Sequence, residues 1–262
     1  RYIKANFILN HNLLNTTKYT QISIFAASLM IFKTLEKETD LNVSSINIMM
    51  GHSLGEYSSL ACSKKLSIKD CSLILKKRSL LMHNAVEPNK SGMVAIIGKD
   101  SNYIQNIIEK NNLNLQIAND NSPIQVVLSG DITEIKNSKE VFLDNKIKKY
   151  IILNVSAAFH SNYMIEAQNL LSNEIDKLNF LENNIKIISN YTSEISNDSK
   201  VIKSSLQMQM ANKVRWTESI KKLEETNEKE ILEIGPNKVL SGLIKRISNN
   251  FDIKSIDKMS DI

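Results

Sequence analysis

Glycine, proline and arginine are scarce in this sequence. Its 262 residues hold 7 Gly and 3 Pro, and only 4 of its 33 basic side chains are Arg (Arg1, Arg78, Arg215, Arg246). Cysteine is limited to Cys62 and Cys71, too few for a disulfide framework and suited to a reducing compartment, which points to the cytoplasm. No run of about 18 apolar residues occurs, which argues against a membrane span. Two distant Cys and four scattered His make no metal-ligand spacing. Lysine is dispersed without aromatic interleaving, which argues against nucleic acid as a partner. With 42% hydrophobic residues and a net charge of +5, the chain is too apolar and too weakly charged to be mainly disordered. It can bury the core of one large domain, or of a domain plus a small insert. Asn reaches 31 residues, and the dominance of Lys, Asn and Ile reads as coding bias. A surviving Gly, Pro or Arg therefore marks a physical need. The chain starts with Arg rather than Met, so the missing targeting peptide says little.

Hydrophobic spacing predicts a helix over 19–36, a short strand over 46–50 and a helix from Gly55 to Cys62. Ser67-x-x-Asp70 reads as a capping box opening a helix to about Asn84. A block then follows in the order βαββαβ. It has strands over 93–97, 113–117, 125–128 and 149–153 and helices over 102–110 and 132–143, with Asn119, Asn121 and Pro123 as turn residues. That order is the split pattern of a ferredoxin-like unit, whose neighbouring ends allow insertion into a larger domain. Helices over 162–178, 203–210, 217–225 and 238–247 alternate with strands over 185–188 and 230–234, the pattern of a mainly parallel sheet covered on both faces. The expected fold is α/β, with residues 1–91 and 152–262 as an α/β-hydrolase-like domain and residues 92–151 as the insert.

Gly51-His52-Ser53-Leu54-Gly55 fits G-x-S-x-G, placed directly after a strand and before a helix. Such a turn presents the Ser53 hydroxyl, the glycines remove colliding side chains, and the Leu54 N–H can hold an oxyanion. The alternative is a plain Gly-rich turn. A Ser nucleophile needs a base. Among the four His, His52 adjoins Ser53, His11 lies in a polar start and His83 sits near a helix end. His160 falls at a strand-to-helix corner, as a catalytic or a packed side chain. Arg78 interrupts the apolar stripe Cys71, Ile74, Leu75, Leu81, Met82. A charge there is costly unless paired, and Arg in a Lys-rich chain suggests a planar carboxylate partner, either an internal Asp or Glu or a substrate.

These residues resemble one family. Gly51-His52-Ser53-Leu54-Gly55-Glu56-Tyr57-Ser58 is similar to the nucleophile segment of malonyl-CoA:acyl carrier protein transacylases. Arg78, in Lys77-Arg78-Ser79-Leu80-Leu81-Met82, stands where that family has its malonate-binding Arg. Residues 92–98 and 119–130 resemble its ferredoxin-like strands, and Val155-Ser156-Ala157-Ala158-Phe159-His160-Ser161 resembles its catalytic His segment. Gln209 stands where the family has a residue whose main-chain carbonyl orients that His. Residues 233–236 and 239–243 resemble its last strand and helix. The resemblance runs in order along nearly the whole chain. Family members begin with a strand and a G-Q-G-S-Q loop that completes the oxyanion hole. No such stretch occurs here, so the expectation is an N-terminally truncated chain, and losing one oxyanion donor costs roughly 100- to 1,000-fold in rate. Phe159 before the His resembles malonyl-selective members, although Ala-Ala-Phe-His departs from the common Val-Pro-Ser-His.

The resemblance implies malonyl transfer from malonyl-CoA to the phosphopantetheine thiol of acyl carrier protein in fatty-acid biosynthesis, through a malonyl-Ser53 ester with His160 as base. It implies a monomer without metal or resident cofactor. The rival readings are a serine esterase or thioesterase with the same elbow, and a catalytically impaired or docking fragment of the same fold.

Overall fold

The computed structural model describes residues 16–261. Helix α1 (Thr17–Glu38) buries Gln21, Phe25, Ser28, Leu29, Phe32 and Leu35, a stripe at three- and four-residue spacing. A two-residue strand β1 (Ile48–Met49) leads through the glycine turn into α2 (Leu54–Cys62), and α3 (Ile68–Asn84) follows. Ser67 caps α3 by accepting the Asp70 N–H at 3.0 Å, and its hydroxyl donates to Asp70 Oδ2 at 2.7 Å. The Asp70 side chain thus bonds the Ser67 hydroxyl, not the Ser67 backbone N–H that a full capping box would use. Phe25, Leu29, Tyr57, Leu60, Leu75 and Met82 from these three helices share the largest apolar cluster.

The next unit runs β2 (Ser91–Ile97), α4 (Ser101–Lys110), β3 (Leu115–Ser122), β4 (Gln125–Asp131), α5 (Ile132–Asn137), α6 (Lys139–Asp144) and β5 (Lys149–Ile152). Its strands form one antiparallel sheet in the order β3-β4-β2-β5, with Val94 opposite Leu128 and Ile152. This is the ferredoxin-like order expected from βαββαβ. The helix read over 132–143 breaks at Ser138, whose hydroxyl bonds the Ile135 carbonyl and the Tyr150 hydroxyl. Asn119 and Asn121, read as turn residues, lie inside β3. Pairing with β4 carries the strand on to Ser122 through two register shifts, and Asn119 bridges to Val214.

The remaining helices are α7 (Ile165–Asp176), α8 (Ser199–Gln207), α9 (Trp216–Glu224) and α10 (Val239–Ile247). Strand β6 (Lys186–Ile188) pairs parallel with β1 and antiparallel with β7 (Ile195–Ser196). Strand β8 (Glu230–Ile234) pairs parallel with β9 (Asp252–Ile256). The chain is therefore α/β, with parallel pairs and an antiparallel insert. Among the described residues the parallel pairs stand as two separate sheets. Strands β7 and β9 are absent from the sequence-based reading, because each is short and interrupted by polar residues. No helix of the described residues is long and apolar enough to cross a membrane.

Candidate active site

The site begins at the end of β1. Ser53 holds φ 52° and ψ −109° immediately before α2, a conformation rare for a residue with a side chain. The turn is tight at Gly51, where a Cβ would lie 2.2 Å from the Gly55 carbonyl carbon. Gly55 is different: a Cβ there meets nothing within 4 Å among the described residues, so the expected collision arises at one glycine only. Asn190, just beyond β6, clamps the turn from both sides. Its Oδ1 accepts the Ser53 N–H at 2.6 Å, and its Nδ2 donates to the Gly51 carbonyl at 2.7 Å. The Leu54 N–H makes no hydrogen bond among the described residues and points from the start of α2, where helix N–H groups are unpaired.

His160 comes to Ser53 from the loop after β5, with φ 54°. The insert holds that loop. Ser91 at the start of β2 accepts the Ala158 N–H at 3.0 Å, and Ser129 in β4 donates to the Phe159 carbonyl at 2.5 Å. His160 Nε2 lies 2.8 Å from Ser53 Oγ. On the other side of the ring, Nδ1 lies 3.1 Å from the Gln209 carbonyl and 3.2 Å from the Asn212 carbonyl. Carbonyls only accept, so the ring proton sits on Nδ1 and leaves Nε2 free to take the Ser53 proton. Burial, with the positive Arg78 nearby, pushes the His160 pKa down to about 3.

Arg78 is 1% exposed on α3, where its place on the apolar stripe puts it. Its Nη1 donates to Gln21 Oε1 at 2.5 Å, and Nη2 to Ser53 Oγ at 3.0 Å and Gln209 Oε1 at 3.1 Å. The guanidinium lies 5.4 Å from the Tyr57 ring centroid. Nε has no partner, and no carboxylate of the described residues is within ion-pair distance. The internal Asp or Glu partner considered from the sequence is therefore not there; neutral amides and the serine hydroxyl surround the cation. Ser53, Arg78, His160, Gln21, His52 and Phe159 line one open cleft.

Gln21, Glu56, Asn121 and Asn190 escaped the sequence reading. Gln21 was legible as a polar residue on the buried stripe of α1. Glu56 was legible as the acid of the nucleophile segment, and the other two carry no local signal. Asn121 Oδ1 lies 2.8 Å from His52 Nε2, which turns His52 away from the serine hydroxyl. His83 is exposed in the last turn of α3, and His11 lies outside the described residues.

A serine on a strand-to-helix elbow, facing a histidine held by main-chain carbonyls in an α/β chain, is an arrangement suited to serine-nucleophile chemistry. Residues 5–258 match the acyl transferase domain, and the chain belongs to that family. It is 36% identical over 237 residues to the polyketide biosynthesis protein PksE of Bacillus subtilis, covering 90% of this chain and 30% of that protein. It is 34% identical over 239 residues to the malonyl CoA-acyl carrier protein transacylase of the same organism, covering 90% of this chain and 74% of that one. The acyl-carrier-protein-S-malonyltransferase structure from Bartonella henselae superposes with a TM-score of 0.90 at 31% identity, over 95% of this chain and 80% of that chain.

Proposed function

We propose that this acyltransferase moves a malonyl group from malonyl-CoA to the phosphopantetheine thiol of acyl carrier protein, through an ester on Ser53. The observation that carries this reading is Arg78, a buried cation without a carboxylate partner, 3.0 Å from the nucleophile. A substrate carboxylate supplies the direct ion-pair partner that no side chain gives Arg78, and a bidentate pair with guanidinium would hold the thioester carbonyl against Ser53.

Two half-reactions follow from the geometry. His160 Nε2 takes the Ser53 proton as Oγ attacks the thioester carbonyl. The Leu54 N–H stabilises the oxyanion. The C–S bond breaks, and the CoA sulfur leaves with the proton from His160 as a free thiol. The carrier thiol then gives its proton to His160 and attacks the Ser53 ester, and the proton returns to Ser53 Oγ as the new thioester forms. Gln209 and Asn212 hold the ring through their carbonyls, so no acidic third member is needed. That orientation by neutral carbonyls weighs against the esterase reading, in which an acid would orient His160.

In this reading residues 1–91 and 152–262 form the catalytic domain. Residues 92–151 form a ferredoxin-like subdomain that holds the His160 loop. The protein acts as a cytoplasmic monomer in fatty-acid biosynthesis, with malonyl-CoA and acyl carrier protein as its partners and no resident cofactor. The test is incubation with malonyl-CoA followed by intact-mass measurement. The expected result is one malonyl adduct that maps to Ser53 and is lost in Ser53→Ala; an unmodified mass overturns the reading.

A further inference from the structure

Glu56 takes no part in the steps above, yet it lies directly beneath them. It sits in the first turn of α2 and is 1% exposed. Its Oε2 accepts the Gln209 Nε2–H at 2.7 Å and the Asn190 backbone N–H at 3.2 Å. Burial raises its pKa to about 7, against the opposing pull of those hydrogen bonds and of Arg78. Oε2 accepts in both protonation states, because the proton of the neutral acid goes to the other oxygen.

The Gln209 side chain joins three groups. Its Nε2 also donates to the Ser53 carbonyl at 2.8 Å, and its Oε1 accepts from Arg78 Nη2 at 3.1 Å. An amide can lie either way round, and the two orientations differ in what they present to Arg78. With the nitrogen toward Glu56, the oxygen faces the guanidinium and fixes Nη2 beside Ser53 Oγ. Reversed, the NH2 group would face a donor-only guanidinium, and an amide oxygen would face the Ser53 carbonyl. Without an acceptor at position 56, one of the three contacts that set this orientation is gone. The cost of a misplaced buried donor then falls on Arg78.

We propose that Glu56 is a positioning residue that, through the Gln209 amide, sets the guanidinium of Arg78 for an acyl group ending in a carboxylate. The proposal rests on the malonyl reading of Arg78. Its consequence is a loss larger for carboxylated acyl groups than for neutral ones, since the Ser53–His160 contact and the carbonyls on His160 stay in place. A carboxylate buried only for stability would lower all Ser53 chemistry alike.

The experiment compares Ser53 acylation by malonyl-CoA with Ser53 phosphonylation by a neutral fluorophosphonate, which has no carboxylate for Arg78 to bind. In Glu56→Ala, malonylation is expected to fall about 10- to 100-fold relative to phosphonylation, the effect of one hydrogen bond to a charged group. Glu56→Gln, which keeps an acceptor oxygen, is expected to stay within about threefold of wild type on this ratio. An equal loss of both reactions in Glu56→Ala overturns the proposal, as does a Glu56→Gln variant as selective in its loss as Glu56→Ala. If Glu56→Ala does not fold by circular dichroism, Glu56→Leu carries the same test, because it fills more of the buried volume and likewise offers no acceptor. A selective loss there supports the proposal and an equal loss overturns it. Wild-type protein that is phosphonylated but never malonylated overturns the substrate reading instead, and the proposal with it.

Discussion

A guanidinium buried beside a serine hydroxyl and an imidazole acts on both. Arg78 donates to Ser53 Oγ, and it disfavours a second positive charge on His160. With its pKa depressed by burial and by Arg78, His160 stays neutral well into the acid range. The acylation rate is therefore expected to change by less than about twofold between pH 7 and pH 5. A histidine at its ordinary pKa would lose about 25-fold over the same interval, through protonation of the base. A stopped-flow pH profile of CoA release separates the two. Arg78→Met is expected to move the acid limb upward toward the ordinary histidine range, since it removes the like charge. The same substitution should slow malonyl transfer by about 100-fold or more while a neutral acetyl donor suffers much less, as expected for losing one side of a buried charged contact. Competition between malonyl-CoA and acetyl-CoA, read by mass, measures that change in preference.

The elbow between β1 and α2 draws its shape from sterics at one atom. A Cβ at Gly51 would meet the Gly55 backbone, which has no flexible end to move aside. Gly51→Ala should cost about 2–3 kcal/mol and lower the thermal midpoint, with Ser53 displaced as the turn opens. Gly55, one residue inside α2, has room for a methyl group. Gly55→Ala should leave stability unchanged or raise it by up to about 1 kcal/mol, the usual gain for Ala over Gly in a helix. Thermal melts of the two variants side by side distinguish a steric turn from a merely Gly-rich one. Helix α3 was legible from its Ser67 cap to its end near Asn84, because capping and apolar spacing act locally. Strand β9 was not, because Asp252–Ile256 carries only two apolar residues and exists through its parallel pairing with β8.

Across the whole molecule, Ser53 and the loop that carries His160 are held by different sheets. Ser53 hangs from the β1–β6 pair, whereas the His160 loop is tied to the antiparallel insert through Ser91 and Ser129. The 2.8 Å contact between them therefore depends on how the insert seats against the rest of the chain. Ser129→Ala frees the Phe159 carbonyl and should slow Ser53 acylation about tenfold, a loss in line with about 1–3 kcal/mol for an unpaired buried carbonyl. The slowing should appear in the acylation rate and not in the KM for malonyl-CoA. A change in KM alone would place the Ser129 bond outside the positioning of His160.

The sequence by itself determined the α/β class, the ferredoxin-like order, the elbow at Ser53 and the presence of a charge on the buried stripe of α3. Each of these follows from spacing within a few turns of chain: alternation, helical period, a glycine where no side chain fits. Only the tertiary structure decided what surrounds Arg78. The sequence left an internal carboxylate and a substrate as equal partners, and the fold put Gln21, Gln209 and Ser53 there, residues separated by up to 188 positions. It likewise turned Asn119 and Asn121 from turn residues into strand residues, and placed Asn190 and Glu56 around the nucleophile. Hydrogen bonds between distant side chains leave no period in a sequence; they arise when packing brings the elements together.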